Sequence, residues 1–323
     1  MLTYARILAT GSALPERVVT NFDLEKMVDT SDEWIRTRTG IRERRVAADG
    51  ETTGDLAFRA AEQALRDAGV KASELDMVVL GTTTPDIIFP ATACLVQDRL
   101  GANGCMAFDV NAACSGFVYA LGVANNFVRT GQVKKALVIG AETLTRMVDW
   151  SERETCVLFG DGAGAVVLEA SDEPGILATC LHADGGYKHL LYNPVGVSAG
   201  FSDEKNHGVR IHMSGREVFK FAVKTFDALV GETLAAAGMQ ESEVDWLIPH
   251  QANLRIIEAT AKRLGMSMER VIVTVDKHAN TSSGSVPLAL DAAVRSGKIK
   301  RGQNLLLEAF GGGFTWASAM VRY

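Results

Sequence analysis

The strongest constraint on what this chain can fold into is that it contains itself twice. Residues 64–76 align on residues 233–245 at a shift of 169 positions. Identities fall at Leu65/Leu234, Ala68/Ala237, Gly69/Gly238, Ser73/Ser242, Glu74/Glu243 and Asp76/Asp245. The same shift lays Asn111 on Asn280, Cys114 on Ser283 and Gly81 on His250. Solenoid repeats are roughly 20–50 residues long, so a period of this size marks a duplicated half.

Each half alternates strand and helix patterns. In the first, 2–11 reads as a strand, 21–28 as helical, and 30–34 as a helix start capped by Ser31 or Asp32. A basic loop from Arg36 to Arg45 follows. Residues 52–68 form an amphipathic helix ended by Gly69, and 76–81 an apolar strand buried on both faces. Then come helix 91–100, strand 108–111, helix 115–130, and strands 136–141 and 162–169. In the second half, 176–182 reads as a strand and 185–208 as an irregular excursion rich in Gly, Asn, Pro and Ser. Helix 217–237, strand 245–249, helix 252–264, strand 271–275, helix 286–296 and strands 305–309 and 315–321 complete it. This alternation predicts an α/β fold with pseudo-twofold symmetry, divided as 1–172 and 173–323. Ligands are expected where the halves meet.

Bulk properties narrow the function. The net charge of −6 argues against a nucleic-acid protein, whose phosphate contacts need a basic surface. Cysteines 94, 105, 114, 156 and 180 form no CxxC pair and no Cys/His ligand spacing, so neither metal nor disulfide framework is expected. The first residues lack a charged region followed by an apolar one, and no apolar run is long enough to span a bilayer. A cytoplasmic, reducing setting away from membranes is the expectation.

Cys114 stands where an apolar run gives way to small residues and a helix begins. A lone cysteine is usually a buried structural residue. A thiol at a helix N-terminus, however, faces unpaired N–H groups and the positive end of the dipole, which favour the nucleophilic thiolate. His250 and Asn280 each follow a predicted buried strand of the other half, where catalytic residues of α/β folds collect. Singly they would be a capping histidine and a turn asparagine. Their joint placement with Cys114 around the repeat makes them candidate partners. The glycine runs 160–164 and 311–313 match neither a P-loop nor a dinucleotide fingerprint and read as tight turns, the second able to bring bare N–H groups near a reacting oxygen.

Ala112-Ala-Cys-Ser-Gly-Phe117, His250-Gln-Ala-Asn-Leu-Arg-Ile256, Asn280-Thr-Ser-Ser-Gly-Ser-Val-Pro287 and Glu308-Ala-Phe-Gly-Gly-Gly-Phe-Thr-Trp316 resemble the β-ketoacyl-acyl carrier protein synthase III family. So does the run from Thr30 to Arg44, and the likeness extends from residue 3 to 323. The resemblance implies the duplicated five-layer α/β/α/β/α fold of the thiolase superfamily. It also implies a reaction in which coenzyme A delivers an acyl group to Cys114. Malonyl-acyl carrier protein then loses CO₂, and its enolate attacks the thioester. His250 and Asn280 would donate hydrogen bonds to the enolate oxygen, and the N–H groups of Cys114 and Gly312 would hold the acyl carbonyl. No metal or redox cofactor is called for, coenzyme A entering as a thioester substrate.

The same resemblance places coenzyme A against Thr30, Trp34, Arg38, Arg153, Gly215 and Asn253, with Trp34 and Arg153 sandwiching the adenine. It assigns Leu144, Cys156, Val157 and Phe159 to the acyl pocket, together with Phe89, which in a homodimer limits the neighbour's pocket. Cys156 and Val157 stand where bulkier aliphatics are expected. A locally basic face for the acidic carrier protein falls on Lys220, Gln251, Ala252, Asn253, Leu254, Arg255, Lys262 and Arg263, with Lys224 one turn from Lys220. Alternatives from the residue types are a cysteine hydrolase, which also uses Cys, His and Asn, and a non-catalytic acyl-binding paralogue. Within the superfamily stands a condensing enzyme of specialised metabolism, such as a type III polyketide synthase.

Overall fold

The computed structural model describes residues 3–198 and 209–323. The first half builds β1 (Tyr4–Ala13), α1 (Asp32–Thr39), α2 (Thr53–Ala68), β2 (Met77–Gly81), α3 (Thr92–Leu100), β3 (Met106–Val110), α4 (Gly116–Arg129), β4 (Lys135–Thr143) and β5 (Asp161–Ser171). The second builds β6 (Ile176–Ala183), α5 (Gly215–Ala237), β7 (Trp246–Pro249), α6 (Leu254–Arg263), α7 (Ser285–Arg295), β8 (Asn304–Gly311) and β9 (Thr315–Arg322). Local signals set many of these bounds. Thr52 and Asp55 form a capping box at the start of α2, and Gly69 ends it in the left-handed conformation.

The sheets repeat one order. The first runs β1-β5-β4-β2-β3 and the second β6-β9-β8-β7, with Val271 bridged to Leu247 at its far edge. In both, the inner pair is parallel and the two following pairings are antiparallel. Even the register carries over: Met77 opposes Ala136, and Trp246 opposes Leu305, each partner displaced by the same shift.

Five layers result. Between the sheets lie α4 and α7, whose Phe117, Leu121, Ala289 and Leu290 share one core with Val79 and Val138 of the first sheet and Leu305 and Leu307 of the second. Burial on both sides explains why strand 77–81 is apolar throughout. Outside the first sheet, α2 and α3 cover Val78, Leu80 and Ile139. Outside the second, α5 and α6 cover Leu247, Leu306 and Phe310. This is the five-layer thiolase-like architecture.

Three readings need correction. The predicted strand 271–275 pairs only around Val271, and the chain then makes a one-turn helix, Val275–His278, before Asn280. The predicted basic loop from Arg36 begins inside α1, which runs to Thr39 with its arginines on the exposed side and Gly40 in the left-handed conformation. The excursion from 185 contains a 3-10 segment, Gly185–Leu190, and a short ribbon of Leu191–Tyr192 with His212–Met213. Its residues 199–208 lie outside the described residues. Among the described residues, no helix is long and apolar enough to cross a membrane.

Candidate active site

Cys114 sits in the 3-10 turn Ala113–Ser115 that leads into α4, with Ala113 held at φ 48°. The turn abuts the end of β8. A Cβ on Gly311 would lie 2.5 Å from the Cys114 nitrogen, so only glycine lets the two backbones approach this closely. Cys114 as a residue is 8% exposed. The advantage expected from the helix N-terminus does not prevail here. Burial pushes the thiol up to about 12, and the Glu142 carboxylate adds to the rise.

His250 follows β7 and is 4% exposed. Its Nδ1 lies 2.6 Å from Ser285 Oγ, the first residue of α7. The Gln251 N–H donates to that same oxygen at 3.3 Å, and the hydroxyl hydrogen is assigned to Nδ1. The ring proton is therefore assigned to Nε2. Burial pushes the imidazole down to about 3, so His250 is a neutral donor at physiological pH. Asn280 is 7% exposed. Its Oδ1 accepts from the Ser282 N–H at 2.9 Å, which orients the amide and leaves its NH₂ as a donor without a partner among the described residues.

Cys114, His250 and Asn280 all line one cleft of about 510 Å³. Arg38, Phe159, Gly215, Lys220, Ala252, Asn253 and Arg255 line it too. Above it, the half-buried Trp34 is flanked by two guanidiniums, Arg38 at 4.5 Å and Arg153 at 4.7 Å from the ring centre. Arg38 thus joins the aromatic platform to the cleft. Beside the platform, Arg153 donates to the Asp29 carbonyl at 3.0 Å, and the Thr30 hydroxyl is buried without a hydrogen-bond partner among the described residues. Asn253 is already engaged: its amide donates to the Arg38 carbonyl at 3.0 Å, and its oxygen caps α6 through Arg255 N–H. Leu144, Cys156 and Val157 are buried in one cluster with Phe159 but do not line the cleft. Phe89 lies apart from it, 82% exposed.

Lys220, Lys224, Arg255, Lys262 and Arg263 are exposed on α5 and α6. Arg255 rests over the Phe219 ring at 5.6 Å, and Lys220 pairs with Glu217. Leu254 is half-buried, its Cβ against Gly40. Gln251 does not belong to this face. It is wholly buried, donates to the Pro249 and Ile272 carbonyls, and accepts from the Thr274 and Val275 N–H groups. It ties β7 to the segment that carries Asn280. Sequence reasoning missed Ser282, Ser285 and Glu142. The acid was the one with a signal, a carboxylate directly after the buried apolar run 136–141.

A hydrolase of the Cys-His-Asn type needs a basic imidazole oriented by the amide. Here the imidazole is weakly basic and oriented by Ser285.

A model described as 3-oxoacyl-[acyl-carrier-protein] synthase III matches residues 108–185, and one described as its C-terminal part matches residues 234–323. The beta-ketoacyl-[acyl-carrier-protein] synthase III of Xanthomonas campestris pv. campestris is 68% identical, covering 99% of this chain and 98% of that protein. That of Alkalilimnicola ehrlichii is 61% identical over the full length of both. The crystal structure of the Aquifex aeolicus enzyme superposes with a TM-score of 0.93 at 50% identity, covering 99% of this chain and 100% of that one. On this whole-length identity and on the fold, the chain belongs to the β-ketoacyl-acyl carrier protein synthase III family, acyltransferases that condense an acyl-CoA with malonyl-acyl carrier protein to initiate fatty acid synthesis.

Proposed function

We propose that three residues divide the condensation between them, the sulfur coming from the half 1–172 and both donors from 173–323. Cys114 is the nucleophile that takes the acyl group from coenzyme A, and the N–H groups of Cys114 and Gly312 hold the acyl carbonyl. His250 Nε2–H and the Asn280 NH₂ then bind the malonyl thioester oxygen as CO₂ leaves and negative charge collects there. Two uncharged donors suit this step, because they stabilise the enolate without protonating it. The observation that carries this reading is the locked orientation of both donors, by Ser285 on His250 and by Ser282 on Asn280, in a cleft shared with Cys114.

Coenzyme A enters over Trp34, Arg38 and Arg153, past Thr30, with Gly215 and Asn253 along its arm. The acyl chain lies toward Phe159, backed by Leu144, Cys156 and Val157. Malonyl-acyl carrier protein docks on the basic side formed by Lys220, Arg255, Lys262 and Arg263, beside Ala252 and Leu254. The enzyme works as a homodimer in the cytoplasm. Support for the dimer is the apolar tip Ile87, Ile88 and Phe89, 48%, 62% and 82% exposed, a patch of the kind a partner covers. Sedimentation of the purified enzyme as a monomer at micromolar concentration would remove the dimer.

Two variants test the division of labour. Cys114→Ser is expected to abolish labelling by radioactive acyl-CoA; wild-type labelling in it would sink the nucleophile assignment. Asn280→Ala is expected to slow CO₂ release at least about tenfold more than acylation of Cys114, on the scale of one lost oxyanion donor. Equal loss of both half-reactions would count against the enolate role.

A further inference from the structure

Gln251 follows His250 and is wholly buried, and its side-chain amide uses every hydrogen-bonding position it has. Its Nε2 donates to the Pro249 carbonyl at 2.7 Å and to the Ile272 carbonyl at 3.1 Å. Its Oε1 accepts from the Thr274 N–H at 2.8 Å and from the Val275 N–H at 3.1 Å. Carbonyls only accept and backbone N–H groups only donate, so one orientation of the amide fits.

The sequence explains why a side chain is needed there. β7 is bridged in parallel to Val271, and the Ile272 N–H donates to the Leu247 carbonyl at 2.9 Å. The next rung of a parallel ladder would run from an N–H at 249 to the Ile272 carbonyl. The one after would run from the Thr274 N–H to the carbonyl at 249. Residue 249 is proline and has no N–H. The Gln251 amide stands in for the missing rung, serving the Ile272 carbonyl, the Pro249 carbonyl and the Thr274 N–H together. The two chains can then diverge without orphaning their polar groups. The same oxygen holds the Val275 N–H, the first of the one-turn helix Val275–His278 that leads the chain to Asn280. Beyond Asn280, Ser285 meets His250 again. Asn280 therefore sits between two ties to the His250 strand.

We propose that Gln251 is a positioning residue that sets the spacing of the two enolate donors. This rests on His250 and Asn280 being those donors. Each donor also has its own anchor: the His250 N–H donates to the Glu308 carbonyl at 2.7 Å, and the Asn280 N–H to the Leu158 carbonyl at 2.9 Å. Those anchors hold each donor to a different half, whereas Gln251 ties the two donor-bearing chains to each other. Cys114 belongs to the other half, so its acylation is insulated from a change at Gln251.

Gln251→Leu removes all four bonds at similar volume. Gln251→Glu keeps the acceptor toward Thr274 and Val275 but sets an oxygen against two carbonyls. In both, single-turnover CO₂ release at saturating malonyl-carrier protein is expected to slow about 10- to 100-fold, the scale of an ångström of misplacement. Quench-flow labelling of Cys114 by radioactive acetyl-CoA should stay within about threefold of wild type, and so should the malonyl-carrier protein concentration that gives half-maximal CO₂ release. Added to Asn280→Ala, Gln251→Leu should cost less than it costs wild type, because one of the two donors it spaces is already gone. A proportional fall in both half-reactions, or loss of folded protein in both variants, makes Gln251 a structural residue and overturns the proposal. A raised half-maximal concentration at an unchanged maximal rate returns Gln251 to the docking surface and overturns it too. So does CO₂ release within about twofold of wild type in both variants, since the separate anchors would then suffice. The donor reading fails separately: equal slowing of acylation and CO₂ release by Asn280→Ala removes it, whatever Gln251 does.

Discussion

Ser285 lies 2.6 Å from one ring nitrogen of His250, and removing its hydroxyl would leave that nitrogen buried and unpaired. Either tautomer would then be open to the ring. Ser285→Ala is expected to lower the rate of malonyl decarboxylation about 10-fold, the scale of one buried hydrogen bond, while acylation of Cys114 changes by less than about twofold. Single-turnover CO₂ release set beside acyl labelling checks this, and a proportional fall in both would refute it. At this scale the sequence was informative about residue types with chemistry of their own. Cys114, His250 and Asn280 stand out because thiol, imidazole and amide at strand ends are unusual together. Ser282 and Ser285 did not, because hydroxyls in a Ser/Gly-rich turn look like ordinary turn chemistry. Their roles come from atoms about 3 Å away but distant in sequence, 35 residues for Ser285 and His250 and 140 for Ser282 and Glu142. Gln251 shows the converse. Its neighbours in the motif suggested a surface, yet its four polar contacts belong to the backbone of the second half.

Among the elements, the start of α4 at Gly116 and of α7 at Ser285 reproduces the 169-residue shift, and both helices enter the central layer against the opposite half. The joint is tight. A Cβ on Gly140 of β4 would lie 2.3 Å from the Ser283 carbonyl oxygen, in the turn that leads into α7. Gly140→Ala should therefore cost at least the upper part of the ~1–3 kcal/mol typical of overpacking, read as a lowered denaturant midpoint or as loss of folded protein. A midpoint within about 0.5 kcal/mol of wild type would mean that the seam can yield. The alternation of strands and helices, with 115–130 and 286–296 among the helices, was legible because both halves had to satisfy one apolar pattern. The segment 271–275 was not. Its β-branched run has strand character, but pairing stops near Val271 and the chain turns into Val275–His278 to bring Asn280 inward. Ala279, at φ 56°, closes that extra turn.

For the molecule as a whole, stability should depend on pH through buried titratable groups. Glu308 is completely buried on β8, and neither carboxyl oxygen has a hydrogen-bond partner among the described residues. Burial pushes its carboxyl from 4.5 up to about 8. The folded protein therefore holds a proton that the unfolded chain releases, and stability falls as pH rises from 4.5 through about 8. His250 works from the acid side. Its folded value of about 3 lies below the ordinary 6.5, so stability falls as pH drops below 6.5 toward 3. Glu308→Gln, which cannot ionise, should gain thermal stability relative to wild type on going from pH 5 to pH 9, by several degrees in melting temperature. A difference that stays constant across that range would show that Glu308 is not the protonated group.

The duplication leaves a second, silent copy of the catalytic geometry inside the enzyme. Ser283 occupies the place of Cys114 and Gly81 the place of His250, and the Ser283 hydroxyl donates to the Gly81 carbonyl at 2.8 Å. Asn111 repeats Asn280 down to its side-chain oxygen, which accepts from Ala113 N–H at 3.5 Å as Asn280 accepts from Ser282. The scaffold offers the same backbone corner twice, but in the second copy the hydroxyl that stands for the thiol is shut away: Ser283 is fully enclosed, whereas Cys114 opens onto the cleft. Access from outside, more than backbone geometry, separates the working copy from its fossil.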